Sequence, residues 1–314
     1  MTILSENEYE DLLSLWADLE SGLGIILRSP GSIQQFQQRV RQYDHWMSDL
    51  LKVDPDLGLY LLFQLAANSP VGYSASHALI CAVLCHLMAQ ELQLPVAERD
   101  SLVHAAMTMN MSMTDLQDKL ADQIDKPNSL QQHTISRHPL DSSLMLTHIG
   151  VTDELWLEAV NLHHDENTSN GDLHAVPAAQ RLGRILRAVD RYAAMISPRK
   201  SREGRSAAES LLSIITRSAQ RQDEVGQGLV RAVGLYPPGT YLRLDTGELA
   251  VVLRHSTQSN QPQIAIVISE EGEVLHVPRL HNTSDGNPRI KVALPAASVH
   301  QRFSHHRVLQ LPRS

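Results

Sequence analysis

Ser74-Ala-Ser-His-Ala-Leu-Ile-Cys-Ala-Val-Leu-Cys-His-Leu-Met-Ala-Gln-Glu-Leu-Gln-Leu94 runs without Gly or Pro and stops at Pro95. At 3.6 residues per turn this is about six turns of helix. Its apolar run, Ala78 to Ala89, contains His86 and is too short to cross a bilayer, so it reads as a core helix. A helix apolar on every side must be wrapped by others. The fold therefore reads as a helical bundle built around residues 74–94.

On the N-terminal side, Leu12, Leu13, Leu15, Trp16, Leu19 and Leu23 recur at helical spacing. Ser29-Pro-Gly-Ser32 breaks the run. Phe36, Val40, Tyr43, Trp46, Met47 and Leu50 form a second stripe, and residues 54–68 open another helix at Asp54-Pro55. On the C-terminal side, helices are expected over 97–109, 113–123, 129–148, 152–163 and 178–195. A last helical stretch covers 207–233, interrupted near Gly226 and Gly228. After Tyr236-Pro-Pro-Gly239 the pattern changes to short β-prone runs at 240–254, 262–268 and 273–279. Asp245-Thr-Gly247, Glu271-Gly272 and Asp285-Gly-Asn-Pro288 supply turns. The fold class is mainly α, with N-terminal helices (1–70), a helical core (71–235) and a small antiparallel β module (236–314).

Composition fits this picture. The 314 residues are 42% hydrophobic and only 4% aromatic, which favours helices over a large β fold. A net charge of −8 argues against broad nucleic-acid binding, which needs clustered cations. It leaves room for a small anion in a local basic pocket. Cys81 and Cys85 lack Cys-x-x-Cys spacing and read as small buried hydrophobes, as suits a reducing cytoplasm. Met1 to Glu10 has no basic segment leading into an apolar one, so no signal peptide is expected.

Sixteen histidines stand out. His86, His104, His148, His174, His255 and His276 read as ordinary partly buried or surface residues, and the doublet His305-His306 as accidental. His163-His164 differs in context. His77, His138-Pro139, His163-His164 and Asp190 fall on four predicted helices, which is how bundle cores assemble metal centres.

These residues, with Gly234-Leu-Tyr-Pro-Pro-Gly239 leading into a β tail, resemble the HD-GYP branch of the HD phosphohydrolase superfamily from about Tyr73 onward. Active members of that branch hydrolyse cyclic di-GMP at a two- or three-metal centre. The resemblance implies His77, His138, His163, His164 and Asp190 as metal ligands. It implies Arg199 and Arg202, on the stretch after Asp190, as contacts to ligand phosphates, and Lys200 in the same basic cluster is a further candidate donor. The implied partners are cyclic di-GMP and signalling proteins such as diguanylate cyclases.

Three signatures are broken. Met109-Asn110 stands where the family carries His-Asp, Ser112-Met113 where it carries Gly-Lys, and Gly171-Asp172-Leu173 where it carries Gly-Tyr-Pro. A two-metal phosphodiesterase needs a bridging anion, which the Asn110 amide does not supply. Met109 removes an imidazole, and Met113 removes a positive charge for the phosphate. The remaining histidines leave room for one divalent metal (iron, manganese or zinc) or for none. His77 and Asp190 alone are too few ligands for a second tight site. Three functions stay open: a non-hydrolysing receptor or protein-interaction module, a residual single-metal phosphodiesterase, and a scaffold without ligand. An apolar patch on the Leu12–Leu23 helix would mark a homodimer face.

Overall fold

The structure is a computed structural model that describes residues 5–68, 71–165, 172–197, 204–219, 224–256 and 260–311. It is mainly α-helical with a C-terminal antiparallel sheet, as the sequence predicts. The helices are α1 (Glu6–Arg28), α2 (Phe36–Val53), α3 (Pro55–Asn68), α4 (Tyr73–Glu91), α5 (Val96–Thr108), α6 (Thr114–Asp122), α7 (Ser129–His148), α8 (Glu154–Leu162), α9 (Ala178–Ile196), α10 (Ala207–Ala219), α11 (Glu224–Val233) and α12 (His305–Leu309).

Helix α4 lies at the centre and every residue from Ser74 to Ala89 is buried. Helices α1, α5, α9 and α11 pack around it, which is why its apolar residues show no single face. The Leu12–Leu23 stripe turns inward: Trp16, Leu19 and Leu23 are buried, and only Leu15 of that set is exposed. Helix α1 starts at a capping box, in which the Ser5 hydroxyl accepts from the Glu8 N–H and the Glu8 carboxylate accepts from the Ser5 N–H. Gly226 and Gly228 do not interrupt the last helical stretch. Both lie buried inside α11, where Gly228 lets the helix approach Leu92 and Met88.

The sheet comprises β1 (Tyr241–Leu244), β2 (Leu249–Arg254), β3 (Gln263–Ile268), β4 (Val274–Asn282) and β5 (Ile290–Leu294), in the order β4-β3-β2-β1-β5, all antiparallel. Strand β5 is absent from the sequence reading. It is a five-residue run with Lys291 inside it, and only pairing with β1 defines it. Strands β2 and β3 are buried nearly end to end because both faces are covered. Leu249, Val251, Ala265 and Val267 join the helical core, while Leu242, Leu244, Ala250, Val252, Ile264 and Ile266 form a second small core with Ala208 of α10. Gly239 makes the junction. Its φ of +87° is left-handed, and a Cβ there would sit 3.2 Å from Phe63 of α3.

Candidate metal centre

Two local devices aim the histidines. Pro139 sits inside α7 and has no N–H, so it leaves the carbonyl four residues back, that of Ile135, without its helical donor. The His138 ring takes that carbonyl: Nδ1–H donates to Ile135 O at 2.5 Å. His163 caps the C-terminus of α8, where the last carbonyls also lack helical partners. Its Nδ1–H donates to Val160 O at 2.6 Å. Both rings are thereby fixed in the Nδ1–H tautomer when neutral, and both present a bare Nε2.

Those two Nε2 atoms face each other at 3.1 Å. Two lone pairs at that distance repel unless a cation lies between them. A proton is a poor candidate. Burial, only partly offset by the Ile135 carbonyl, pushes His138 down to about 4. Burial and then the neighbouring His164 and His138 push His163 down to about 3. A divalent metal suits the geometry: two ligands at ordinary Zn–N bond lengths and a tetrahedral angle stand about 3.3 Å apart. The Nδ1–H···O=C bonds are the outer contacts that metal-ligating histidines use. His164 completes a three-histidine set whose ring nitrogens lie within 4.8 Å of one another, and its side chain is 48% exposed, so the set opens to solvent.

A second donor set adjoins the first. His77 Nε2, on α4, lies 2.9 Å from Asp190 Oδ1 on α9, and the other oxygen, Oδ2, lies 4.0 Å from His164 Nε2. Burial alone would raise the Asp190 carboxyl. The His77 hydrogen bond and the charges on His77, His163 and His164 outweigh it and hold the group well below the usual carboxylate range. The structure thus brings all five sequence-predicted ligands, from α4, α7, α9 and the end of α8, into two adjoining donor sets.

Cys81, read from sequence as a plain buried hydrophobe, belongs to this second set. Its Sγ lies 3.6 Å from His77 Nε2. The signal was present, since residues 77 and 81 are one helical turn apart and share a face. Burial and then Asp190 push the Cys81 thiol up, so it stands protonated at neutral pH. Met109 lies in the apolar core at the end of α5, and Asn110 opens a 3-10 turn over Met111–Met113. Residues 109–113 include no imidazole, thiol or carboxylate, and the Ser112 hydroxyl donates to the His138 carbonyl at 3.2 Å. Arg199, Lys200, Arg202 and Gly171 lie outside the described residues.

Other histidines have structural work. His86 and His104 are more buried than expected, and they belong to a network in which Arg99 bonds Asp44, Ser48 and His86. His305 accepts from the Tyr60 hydroxyl at 2.7 Å, tying α12 to α3. Burial, joined at His86 by the Arg99 charge, pushes His86 down to about 4, and burial does the same to His305. An unfolded histidine titrates near 6.5. Between about pH 6.5 and 4 the unfolded chain therefore takes up protons that the folded one refuses, so stability is lost as pH falls through that window. His255, raised by its bond to Asp56, works in the opposite sense, above that window. Urea midpoints measured on metal-free protein should fall steadily from pH 6.5 to 4.5, and a flat profile would contradict the buried neutral assignments.

Fold and site together define a helical-bundle protein with a candidate metal centre of histidine, aspartate and cysteine donors. No family model matches the chain, and no solved structure matches it. Among curated proteins, it is similar to the cyclic di-GMP phosphodiesterase PA4108 of Pseudomonas aeruginosa, at 25% identity over 209 residues. That match covers 64% of the chain and 50% of the relative, so the aligned part spans half the relative's length. No helix among the described residues is long and apolar enough to cross a membrane.

Proposed function

We propose that the chain is a cyclic di-GMP-related signalling protein with an HD-GYP-like core impaired in hydrolysis. It would act as a nucleotide receptor or protein-interaction module. The observation that carries this reading is a contrast. His138 and His163 keep a metal-ready pair of bare nitrogens, while Met109-Asn110-Met111-Ser112-Met113 carries no imidazole, thiol or carboxylate. In this reading His138, His163 and His164 hold one divalent ion, and Arg199, Lys200 and Arg202 engage ligand phosphates as charge-assisted donors. A bound metal of this kind polarises phosphoryl oxygens and lowers the pKa of water. The chain's own residues orient and enclose; none of the five residues at 109–113 offers a charge to a leaving oxygen.

A second reading is favoured by the exposure of His164, which leaves the three-histidine set open to solvent. There the chain is a slow single-metal phosphodiesterase. One experiment separates the two: metal content, cyclic di-GMP binding by calorimetry, and hydrolysis with added Mn²⁺ or Fe²⁺, all on one preparation. The expected result is bound metal and bound nucleotide without product. Product that vanishes in His164→Ala would overturn the receptor reading in favour of the enzyme. An empty site with no nucleotide binding would leave a scaffold.

A further inference from the structure

We infer that Cys81 is a metal ligand, and that His77, Cys81 and Asp190 form a sulfur-containing seat for a second soft divalent cation, zinc or ferrous iron, beside the three-histidine set. The inference rests on the proposed metal-binding reading of the histidines and adds a ligand that the sequence resemblance does not supply.

Three observations carry it. The first is spacing. A metal bound by one imidazole nitrogen and one thiolate, at ordinary zinc bond lengths and a tetrahedral angle, holds those atoms about 3.5 Å apart. His77 Nε2 and Cys81 Sγ stand 3.6 Å apart, and Asp190 Oδ1 stands 2.9 Å from the same nitrogen. All three donor atoms fall within 4.8 Å of one another.

The second is charge. Among the described residues the three-histidine set brings no anionic donor of its own, and the carboxylate beside it is Asp190. A buried ion without a counter-charge is costly. A Cys81 thiolate adds a second negative charge beside the Asp190 carboxylate and so lowers the cost of placing a dication in the second seat. As the metal binds, the thiol loses its proton to solvent, as coordinated thiols do, and the His77 ring proton moves from Nε2 to Nδ1, a buried nitrogen with no hydrogen-bond partner. No oxidant or reductant is needed.

The third is placement. Asp190 directs Oδ1 to His77 and Oδ2 toward His164, so one carboxylate stands between the two sets. Donor softness then sets metal choice. Thiolate with imidazole selects zinc or ferrous iron over manganese or magnesium. Cys85, a turn further along α4 and also buried, is in neither donor set and is the natural control.

The test is cobalt substitution of the chelator-stripped full chain, read by absorbance and by metal stoichiometry. Wild type should bind two Co²⁺ and show near-ultraviolet sulfur-to-cobalt charge transfer besides the visible ligand-field bands. Cys81→Ser should lose the charge-transfer band and drop to one cobalt, while Cys85→Ser should keep both. Cobalt bound with ligand-field bands but no charge transfer in wild type overturns the Cys81 assignment and leaves the histidine site standing. A chain that binds no cobalt overturns both. Because the wild-type spectrum decides, a variant that fails to fold does not shelter the proposal.

Discussion

His163→Ala is expected to weaken metal binding at the three-histidine set by more than about 100-fold, beyond what loss of an outer-shell partner alone costs. His163 is wholly buried, its Nδ1 is locked to Val160 O, and its Nε2 stands 3.1 Å from that of His138. No rotation of a neighbour replaces it. The effect on the metal-free protein should be smaller than an ordinary buried truncation, because the substitution also removes one of two opposed lone pairs. The measurement is thermal melting with and without metal. At about 100 times the dissociation constant, binding stabilises wild type by about 2.7 kcal/mol. In a Cys81→Ser background, which removes the second seat, that metal-dependent shift should vanish on adding His163→Ala. A variant that keeps it would show that the facing nitrogens are not the seat.

The fold was legible where one segment spoke for itself. Residues 74–94 announced a buried helix through unbroken apolar character, and the turn residues after Tyr236 announced a sheet. Strand β5 was not legible, since it exists only as the partner of β1. At the site, Pro139 carried more information than its place in a motif. Its missing N–H frees the Ile135 carbonyl that fixes the His138 ring. Cys81 was hidden by a sound general rule, that a cysteine in an apolar helix is a small hydrophobe. What changes its reading is Asp190, more than a hundred residues away, brought to His77 by the packing of α9 on α4. Convergence of that kind is a tertiary fact. So is the Asp44–Arg99 network, whose members are scattered over α2, α4 and α5 and share no pattern along the chain.

That network sets the largest expected stability effect. Asp44→Ala should destabilise the protein by about 3–5 kcal/mol, the range for breaking a buried ion pair from one side. Asp44 is 4% exposed, and its two oxygens accept from both Arg99 terminal nitrogens at 2.6 Å. The His104 ring nitrogen Nε2 contacts the same carboxylate at 3.1 Å. Burial alone would raise the Asp44 carboxyl, yet the bonds from His104 and Arg99 hold it below its ordinary value, so it is ionised at neutral pH. Removing it strands a largely buried guanidinium, with the more exposed Asp100 as its remaining carboxylate. It also unties α2 from α5. Asp44→Leu combined with Arg99→Met should lose less than the single substitution, because no buried charge is left unpaired. Urea denaturation of the single and double variants checks this. If Asp44→Ala costs under about 1 kcal/mol, within reach of an exposed pair, the network is not what holds α2 against the core. A double variant worse than the single would instead put the weight on packing around the guanidinium stem rather than on charge.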